Sequence, residues 1–201
     1  MKPINLDLTL EVCSEDGSRT QFYQDNEDQA EKLLRLLLTP RLFGQTWLII
    51  ASERSSSAIP CRGIDLLLAR TQKPLQLTLP PGWLNVIEVS ADSFLNREID
   101  GDSLADTELP AEGSGDTFIE IHTSGDWLIQ LKLSASRPVT VQEQRQFLVH
   151  FFELPVIPYR LLDGGAGFIN PQKISRITLS GACHELADSA LPADLLRCVR
   201  P

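Results

Sequence analysis

The sequence lacks any apolar run long enough to cross a membrane. A spanning helix needs about 18 or more consecutive apolar residues, and the best candidate here, Trp47 to Ala51, is far shorter. The opening residues MKPINLDLTL carry one lysine and then alternate, without the apolar block and small-residue cleavage site of a secretory signal. We therefore expect a cytoplasmic protein with no membrane insertion.

Positive charge is also scarce. The chain has 18 Lys and Arg against 27 Asp and Glu, a formal net charge of -9. A nucleic-acid-binding surface needs a clustered basic face to neutralise phosphates, so the composition argues against a nucleic-acid partner. Between Glu88 and Asp126 there are eleven acids and a single base, Arg97, which places most of the imbalance in one segment.

Motifs for metal binding or catalysis are few. Four scattered cysteines form no C-x-x-C pair, and Cys183 to Glu185 is the best metal candidate, although adjacent side chains rarely converge on one ion. Residues 96–102 resemble the start of a calcium loop, but Thr107 stands where a bidentate Glu is required. We therefore predict no catalytic, cofactor-binding or metal-binding residue.

The glycine-rich stretch Asp163 to Gly167 invites comparison with a phosphate-binding loop. Such loops lead into a helix and usually supply a lysine. Here the chain continues into Phe168 and Pro171 towards a strand, and no G-K-[ST] follows. The pattern favours a flexible hairpin turn.

What the sequence does contain is an internal repeat. The stretch from Gln142 to Gly181 is echoed by Glu27 to Arg70. Once about five extra residues are allowed in the first copy, apolar and proline positions coincide. The matched positions are Leu33, Leu36, Leu37, Pro40, Ile59 and Ile64 with Leu148, Phe151, Phe152, Pro155, Ile169 and Ile174.

Local patterns predict the same order of elements in both copies, a β-hairpin, a helix and two further strands. In the first copy these are strands at 6–12, 19–23, 47–51 and 64–69, a helix at 26–38 and a loop at 52–57. In the second they are strands at 118–122, 127–133, 158–162 and 174–179, and a helix that starts from a capping box at Thr140 and Glu143 and ends before Pro155. An extra hairpin is predicted at 75–79 and 83–89, and a short helix near Pro192.

The predicted fold class is α+β, an internally duplicated β-β-α-β-β unit with a mainly antiparallel sheet and one helix per repeat packed on a face. We expect a first repeat with its extra hairpin at residues 1–91, an acidic linker at 92–116, and a second repeat with a short C-terminal helix at 117–201. The leading strand at Leu6 to Val12 alternates as a half-buried strand does.

Acidic segments and Pro/Gly loops suit protein recognition. The leading hypothesis is therefore a non-enzymatic cytoplasmic protein-interaction module, an assembly factor or regulatory adaptor that binds a protein partner, possibly a basic one. The candidate partner-binding residues are Pro81, Trp83, Asp100, Asp102, Asp106, Gly164, Gly165 and Gly167. The alternative is a small-molecule-binding regulatory domain with its ligand between the two repeats. A hydrolase-type enzyme, resting on the three histidines, Cys183 and Glu185, is a third hypothesis.

Overall fold

Strands make up most of the fold. The computed structural model describes residues 7–51, 56–72, 75–79, 82–95, 116–135 and 141–181. The strands are β1 (Leu8–Ser14), β2 (Arg19–Gln24), β3 (Trp47–Ala51), β4 (Ser56–Pro60), β5 (Ile64–Thr71), β6 (Trp83–Glu88), β7 (Asp116–Thr123), β8 (Leu128–Ala135), β9 (Ile157–Arg160), β10 (Ala166–Ile169) and β11 (Ile174–Gly181). Nine of them form one sheet in the order β11-β7-β8-β6-β9-β10-β5-β1-β2, and β3 and β4 form a separate hairpin.

Three helices accompany the strands, α1 (Glu27–Leu37), α2 (residues 91–95) and α3 (Val141–Phe152). Asn26 caps α1 as its sequence predicts, because its side-chain oxygen accepts a hydrogen bond from the backbone N–H of Gln29 at 3.1 Å. Short 3₁₀ turns, Cys61–Gly63 and Pro171–Lys173, lead directly into β5 and β11. No helix in the described ranges is both long enough and apolar enough to cross a membrane.

The sheet is almost entirely antiparallel, and the fold is of the α+β type. A parallel bridge joins Ile87 of β6 to Arg160 of β9, whereas the other strand pairs are antiparallel. Two three-stranded groups, β2-β1-β5 and β8-β7-β11, have the same connectivity. Strands β6, β9 and β10 lie between these groups, so both halves of the chain share one sheet.

Buried side chains form two core clusters. The first cluster is covered by α1 and the β3–β4 hairpin, and it includes Leu10, Ala30, Leu37, Leu48, Leu67 and Phe168. The second cluster is covered by α3, and it includes Leu66, Trp83, Ile121, Leu131, Phe151 and Tyr159. Strand β10 contributes to both clusters from its two faces.

The sequence pattern does not reveal β4 and β10, the second strands of the β3–β4 and β9–β10 hairpins. The predicted loop at 52–57 overlaps β4, and the glycine-rich stretch predicted as a flexible turn runs into β10. Both strands are short, SSAIP and AGFI, and each begins with small residues whose β-propensity is low. Their place in the fold comes from packing and pairing rather than from local preference.

The extra hairpin predicted at 75–79 and 83–89 is wrong in its first strand. Residues 75–79 form no ladder, although half-buried and exposed side chains alternate along them. Leu75 and Leu77 pack on the first cluster and Leu79 packs on the second. The alternation reflects an extended segment lying over the core, because side-chain burial alone produces the same pattern as a strand.

Strand β1 is buried on both faces, not half-buried as predicted. Leu10 and Val12 face the first cluster, while Cys13 belongs to the second and Glu11 is buried beside it. β1 lies inside the sheet between β2 and β5. Its polar residues therefore meet partners on neighbouring strands instead of solvent.

The acidic segment 92–116 is not all linker. Its first residues belong to α2, where Phe94 is buried in an edge-to-face contact with Phe118 at 6.1 Å between ring centroids. Its last residue, Asp116, begins β7. Residues 96–115, Thr140 and the helix predicted near Pro192 lie outside the described residues.

Gly167 lies where a larger residue does not fit. A Cβ atom added there would overlap the ring of Tyr159, which packs flat against the glycine from the paired strand β9. We expect Gly167→Ala to destabilise the fold by about 1–3 kcal/mol, the usual cost of overpacking a core. Urea unfolding measures this change in the free energy of unfolding. Gly63→Ala is the matched control, since its nearest neighbour would be 3.9 Å away, and an equal loss in both variants would contradict the interpretation.

Candidate functional site

The structure describes four of the predicted partner-binding residues, Trp83, Gly164, Gly165 and Gly167. Trp83 is buried in the second cluster, with its ring centroid 6.3 Å from that of Phe151, so it is not a partly exposed aromatic. Its burial follows from the bulged pairing of β6 with β8, which turns the side chain inward. Pro81, Asp100, Asp102 and Asp106 lie outside the described residues.

The glycine-rich stretch offers less free surface than the sequence predicts. Gly164 is exposed in a turn at φ 89°, a conformation that favours glycine. Gly165 is buried, and its backbone N–H donates to the Asp163 carboxylate at 3.1 Å. Gly167 belongs to the buried strand β10. Only the turn up to Gly164 is therefore accessible to a partner.

An exposed apolar surface lies instead on the β3–β4 hairpin. Trp47 and Ile49 point outward and are 49% and 62% exposed. They lie opposite Pro60 and Ala58 in the register of the hairpin. The other face carries Leu48 and Ile59, which pack into the first cluster. The hairpin is thus anchored to the first cluster by its inner face, and its outer face is also apolar.

Both edges of this hairpin are also open. No strand in the described part of the chain pairs with the outer edge of β3 or of β4. Unpaired backbone N–H and C=O groups at a strand edge are a ready template for another strand. We name the outward side chains Trp47, Ile49, Ala58 and Pro60, with these two edges, the hairpin surface. Sequence reasoning missed it because Trp47 to Ala51 reads as an ordinary buried strand.

A cleft of about 390 Å³ opens between the ends of α1 and α3. Its walls come from corresponding loops of the two halves and from the 3₁₀ turn before β11. The lining residues include Pro40, Arg41, Phe43, Gly44, Phe152, Glu153, Pro155 and Gln172. Phe43 and Phe152 make the interior apolar, while Arg41 and Glu153 are exposed and place one charge of each sign at the opening.

An ion-pair network around the buried carboxylate of Glu11 joins β2, β1 and β5. The Glu11 side chain is 5% exposed and accepts hydrogen bonds from Arg19 at 3.0 Å and from Gln21 at 3.1 Å. Arg70 lies 3.5 Å from the same carboxylate and also donates to Asp163 at 2.6 Å. Burial raises the pKa of Asp163. The hydrogen bond and charge of Arg70, together with the N–H of Gly165, lower it by more than burial raises it, so the pKa is below the usual value. Every group has a partner, which is the arrangement of a structural network.

A second polar cluster lies on β7, β8 and β11. Glu120 contacts His122 at 2.7 Å, Gln130 at 3.4 Å and Arg176 at 3.4 Å. Burial raises the pKa of Glu120, while hydrogen bonds from His122 and Gln130 and the charge of Arg176 hold the net pKa below its usual value. The hydroxyl of Ser175 donates to backbone carbonyls of β7 rather than to the imidazole. This geometry provides a charge network and no activated nucleophile at His122.

The remaining nucleophile and metal candidates are limited. Cys13 and Cys61 are buried free thiols. Burial, and then the charge of Glu11, raise the pKa of Cys13 to about 12, so this thiol stays protonated and unreactive at neutral pH. Within the ranges that the structure describes, no group of three or more His, Cys, Asp or Glu side chains is arranged to hold a metal ion. Cys183 to Glu185 lie outside those ranges.

The Glu120 cluster predicts a specific acid dependence. Because the folded-state pKa of Glu120 is lowered, its stabilisation is full above the unfolded-state value and is lost as pH falls through the folded-state pKa. We expect Glu120→Gln to cost about 0.5–1 kcal/mol near pH 5 and progressively less towards about pH 3. Urea unfolding at several pH values measures this. Glu31→Gln, which removes a carboxylate from an exposed pair on α1, is the control, and a Glu120→Gln effect independent of pH would contradict the prediction.

Comparisons with protein-family models, with curated proteins and with solved structures found no match for this chain. What it binds therefore has to be inferred from its own exposed groups. Of these, the hairpin surface combines apolar side chains with open strand edges.

Proposed function

We propose that this chain is a non-enzymatic cytoplasmic protein-interaction module, an assembly factor or regulatory adaptor, and that the hairpin surface is where it binds a protein partner. The observation that carries this proposal is the outward placement of Trp47 and Ile49 on a hairpin whose other face is buried. Aromatic side chains supply a large share of binding energy in protein interfaces. A rigid apolar surface also loses little conformational entropy when a partner covers it.

The open edges favour binding by strand addition. In this mode an extended segment of the partner hydrogen-bonds along an edge strand, while side-chain pockets supply specificity. The edges of β3 and β4 offer the backbone groups, and Trp47 and Ile49 offer apolar contacts beside them. The proposed partner therefore presents an extended apolar segment.

The acidic segment has a supporting role in this proposal. Residues 92–116, with Asp100, Asp102 and Asp106 among them, carry much of the net charge of -9. Such a segment steers a basic partner towards the protein and raises the association rate, an effect that salt screens. Pro81 and the Gly164 turn remain candidate contacts outside the hairpin surface.

We further propose that the two halves, within residues 1–91 and 117–201, are copies of one duplicated unit. Matching contacts support this. Gln21 donates to Glu11 and Gln130 donates to Glu120, each ten residues earlier on the paired strand. β5 pairs with β1, and β11 pairs with β7, with an irregularity at the same place: the second residue after each 3₁₀ turn, Asp65 or Ser175, is skipped in the register. Bulges are conserved among related structures, so a bulge at the same position favours a common origin of the two halves.

The hairpin surface gives the first test. We expect the double substitution Trp47→Ser and Ile49→Ser to weaken partner binding by about 30-fold or more, as loss of a hot-spot residue does. Stability should change by only about 0.5 kcal/mol, because both side chains are exposed. The partner is identified by low-salt affinity capture and mass spectrometry, purified, and titrated against each variant.

Leu84→Ser is the matched control, since Leu84 is 69% exposed on β6 and lies outside the hairpin surface. Neutralising the acids among residues 92–116 should slow association and flatten its salt dependence, with less effect on dissociation. Unchanged affinity of the Trp47 and Ile49 variant for a stoichiometric partner would overturn the proposal.

A second candidate function is small-molecule binding in the cleft between α1 and α3. The cleft volume of about 390 Å³ lies in the usual range of ligand pockets. Its position between corresponding loops of the two halves matches a regulatory domain whose ligand lies between repeats. Phe43 and Phe152 favour an apolar or aromatic body, and Arg41 and Glu153 favour polar groups at its ends.

Filling the cleft tests this candidate. A compound that binds there should raise the unfolding temperature by about 5–11 °C when present at roughly 100 times its dissociation constant. Gly44→Phe should abolish that rise, because Gly44 lines the cleft and a Cβ atom added there meets only the carbonyl oxygen of Arg41, at an ordinary contact distance of 3.6 Å. Thermal-shift screening of metabolites measures this, with the Trp47 and Ile49 variant as control. A rise that persists in Gly44→Phe would exclude the cleft.

A further inference from the structure

Corresponding strands of the two halves differ in how many neighbours they have. β5 ends the first half and pairs with β1 on one side and with β10 on the other. β11 ends the second half and pairs with β7, but no described strand lies along its other edge. The position that β10 fills beside β5 is therefore not occupied beside β11 by any strand of the described residues.

The β9–β10 hairpin shows what such a strand contributes. Its Phe168 lies opposite Leu67 of β5 and packs in the first cluster, on the core of the other half. Its Ile157 and Ile169 pack in the second cluster, on the core of its own half. One face of this hairpin thus packs on the core of the first half, and the other face packs on the core of the second half.

The β3–β4 hairpin has the same register but uses only one of its faces. Leu48 pairs with Ile59 as Ile157 pairs with Ile169, and the residues next to them, Ile49 with Ala58, correspond to Pro158 with Phe168. Leu48 and Ile59 pack on their own core, as Ile157 and Ile169 do. The face that corresponds to Phe168 carries Ile49 and remains exposed.

We propose that the β3–β4 hairpin of one copy of this chain binds the open edge of β11 in a second copy. β4 runs antiparallel to β11 and places Ala58 opposite Ile177, as Phe168 lies opposite Leu67 within one chain. Ile177 already packs on the second cluster, so the incoming Ile49 and Ala58 extend that core. This inference rests on the proposed role of the hairpin surface and deepens it, by naming a second copy of this acidic chain, rather than a basic protein, as the partner that the hairpin binds.

The edge of β11 is suited to such an addition. Strand edges that avoid pairing usually carry lysine, proline or an inward charge. In the proposed register β4, SSAIP, lies opposite residues 175–179 of β11, so it has proline only at its end and faces one charged residue, Arg176. Arg176 is already paired with Glu120 of its own copy at 3.4 Å, and β4 adds no charge to the contact.

Sedimentation of the purified full-length chain over a range of concentrations is the first test. We expect wild-type protein to dimerise, or to form larger assemblies of the same contact, and Ile49→Lys to weaken association by about 30-fold or more. Leu84→Lys is the matched control, because its side chain is similarly exposed on another strand. A chain that stays monomeric, or one whose association ignores Ile49→Lys, overturns the inference.

Cross-linking then tests the register. In a background with Cys183→Ser and Cys198→Ser, the pair Ala58→Cys and Ile177→Cys should form a disulfide between copies on mild oxidation, because directly opposed residues bring their Cβ atoms within reach. The pair Ala58→Cys and Leu84→Cys reports random collisions, and equal yields in both overturn the inference. A monomeric chain whose hairpin still captures a different protein overturns this inference alone and leaves the proposed function in place. A monomeric chain whose hairpin captures no other protein would overturn both this inference and the proposed function.

Discussion

A buried carboxylate joins the two halves of the sheet. Asp65 follows the first 3₁₀ turn, is fully buried, and accepts the backbone N–H of Gly125 at 2.6 Å and the hydroxyl of Ser124 at 3.3 Å. Its own carbonyl accepts the N–H of Asn170 at 2.9 Å. The charge is tolerated because a carboxylate with good donors is far less costly to bury than an unpartnered one. The β7–β8 turn is fixed against the first half by this group.

The β7–β8 turn lies close to the end of β1 and to Asp65. A Cβ atom at Gly125 would lie 2.6 Å from the carbonyl oxygen of Ser14 and 2.9 Å from Asp65, so only glycine allows this contact. Trp127 donates its indole N–H to the same Ser14 carbonyl at 3.0 Å. A reciprocal ion pair joins Lys173, from the second 3₁₀ turn, to Glu15 in the β1–β2 turn. The outer groups of the sheet are therefore held together at their turns as well as through β9 and β10.

Those parts of the fold that follow from local chemistry could be predicted from the sequence. The capping of α1 by Asn26, both β-hairpins that open the halves, and the strands before and after the helices all follow from capping, turn and alternation patterns. β4 and β10 could not be predicted, because both strands are only four or five residues long and begin with small residues, so they depend on pairing and on a core that other segments supply.

The position of the candidate site could not be predicted from the sequence. Protein binding was inferred from acidic and glycine-rich stretches, whereas the hairpin surface depends on which face of β3 is covered, a tertiary property. Glu11 shows the same limit: alternation predicts a solvent-facing carboxylate, yet Arg19 and Arg70 from neighbouring strands enclose it. The prediction that Trp83 binds a partner was wrong for the same reason: the side chain is buried, and a proline-rich neighbourhood does not determine burial.

The position of β9 and β10 between the two outer groups of strands also affects the order in which the two core clusters can fold. Ala166 and Phe168 complete the first cluster, so the core of the N-terminal half stays unfinished on the ribosome until the C-terminal half has emerged. During that interval β5 has an open edge of its own, and the β3–β4 hairpin of the same chain or of a neighbouring one is an available strand for it. Because β10 pairs with β5 across about 100 residues of sequence, we expect this protein to fold slowly, as folds dominated by long-range strand pairing do.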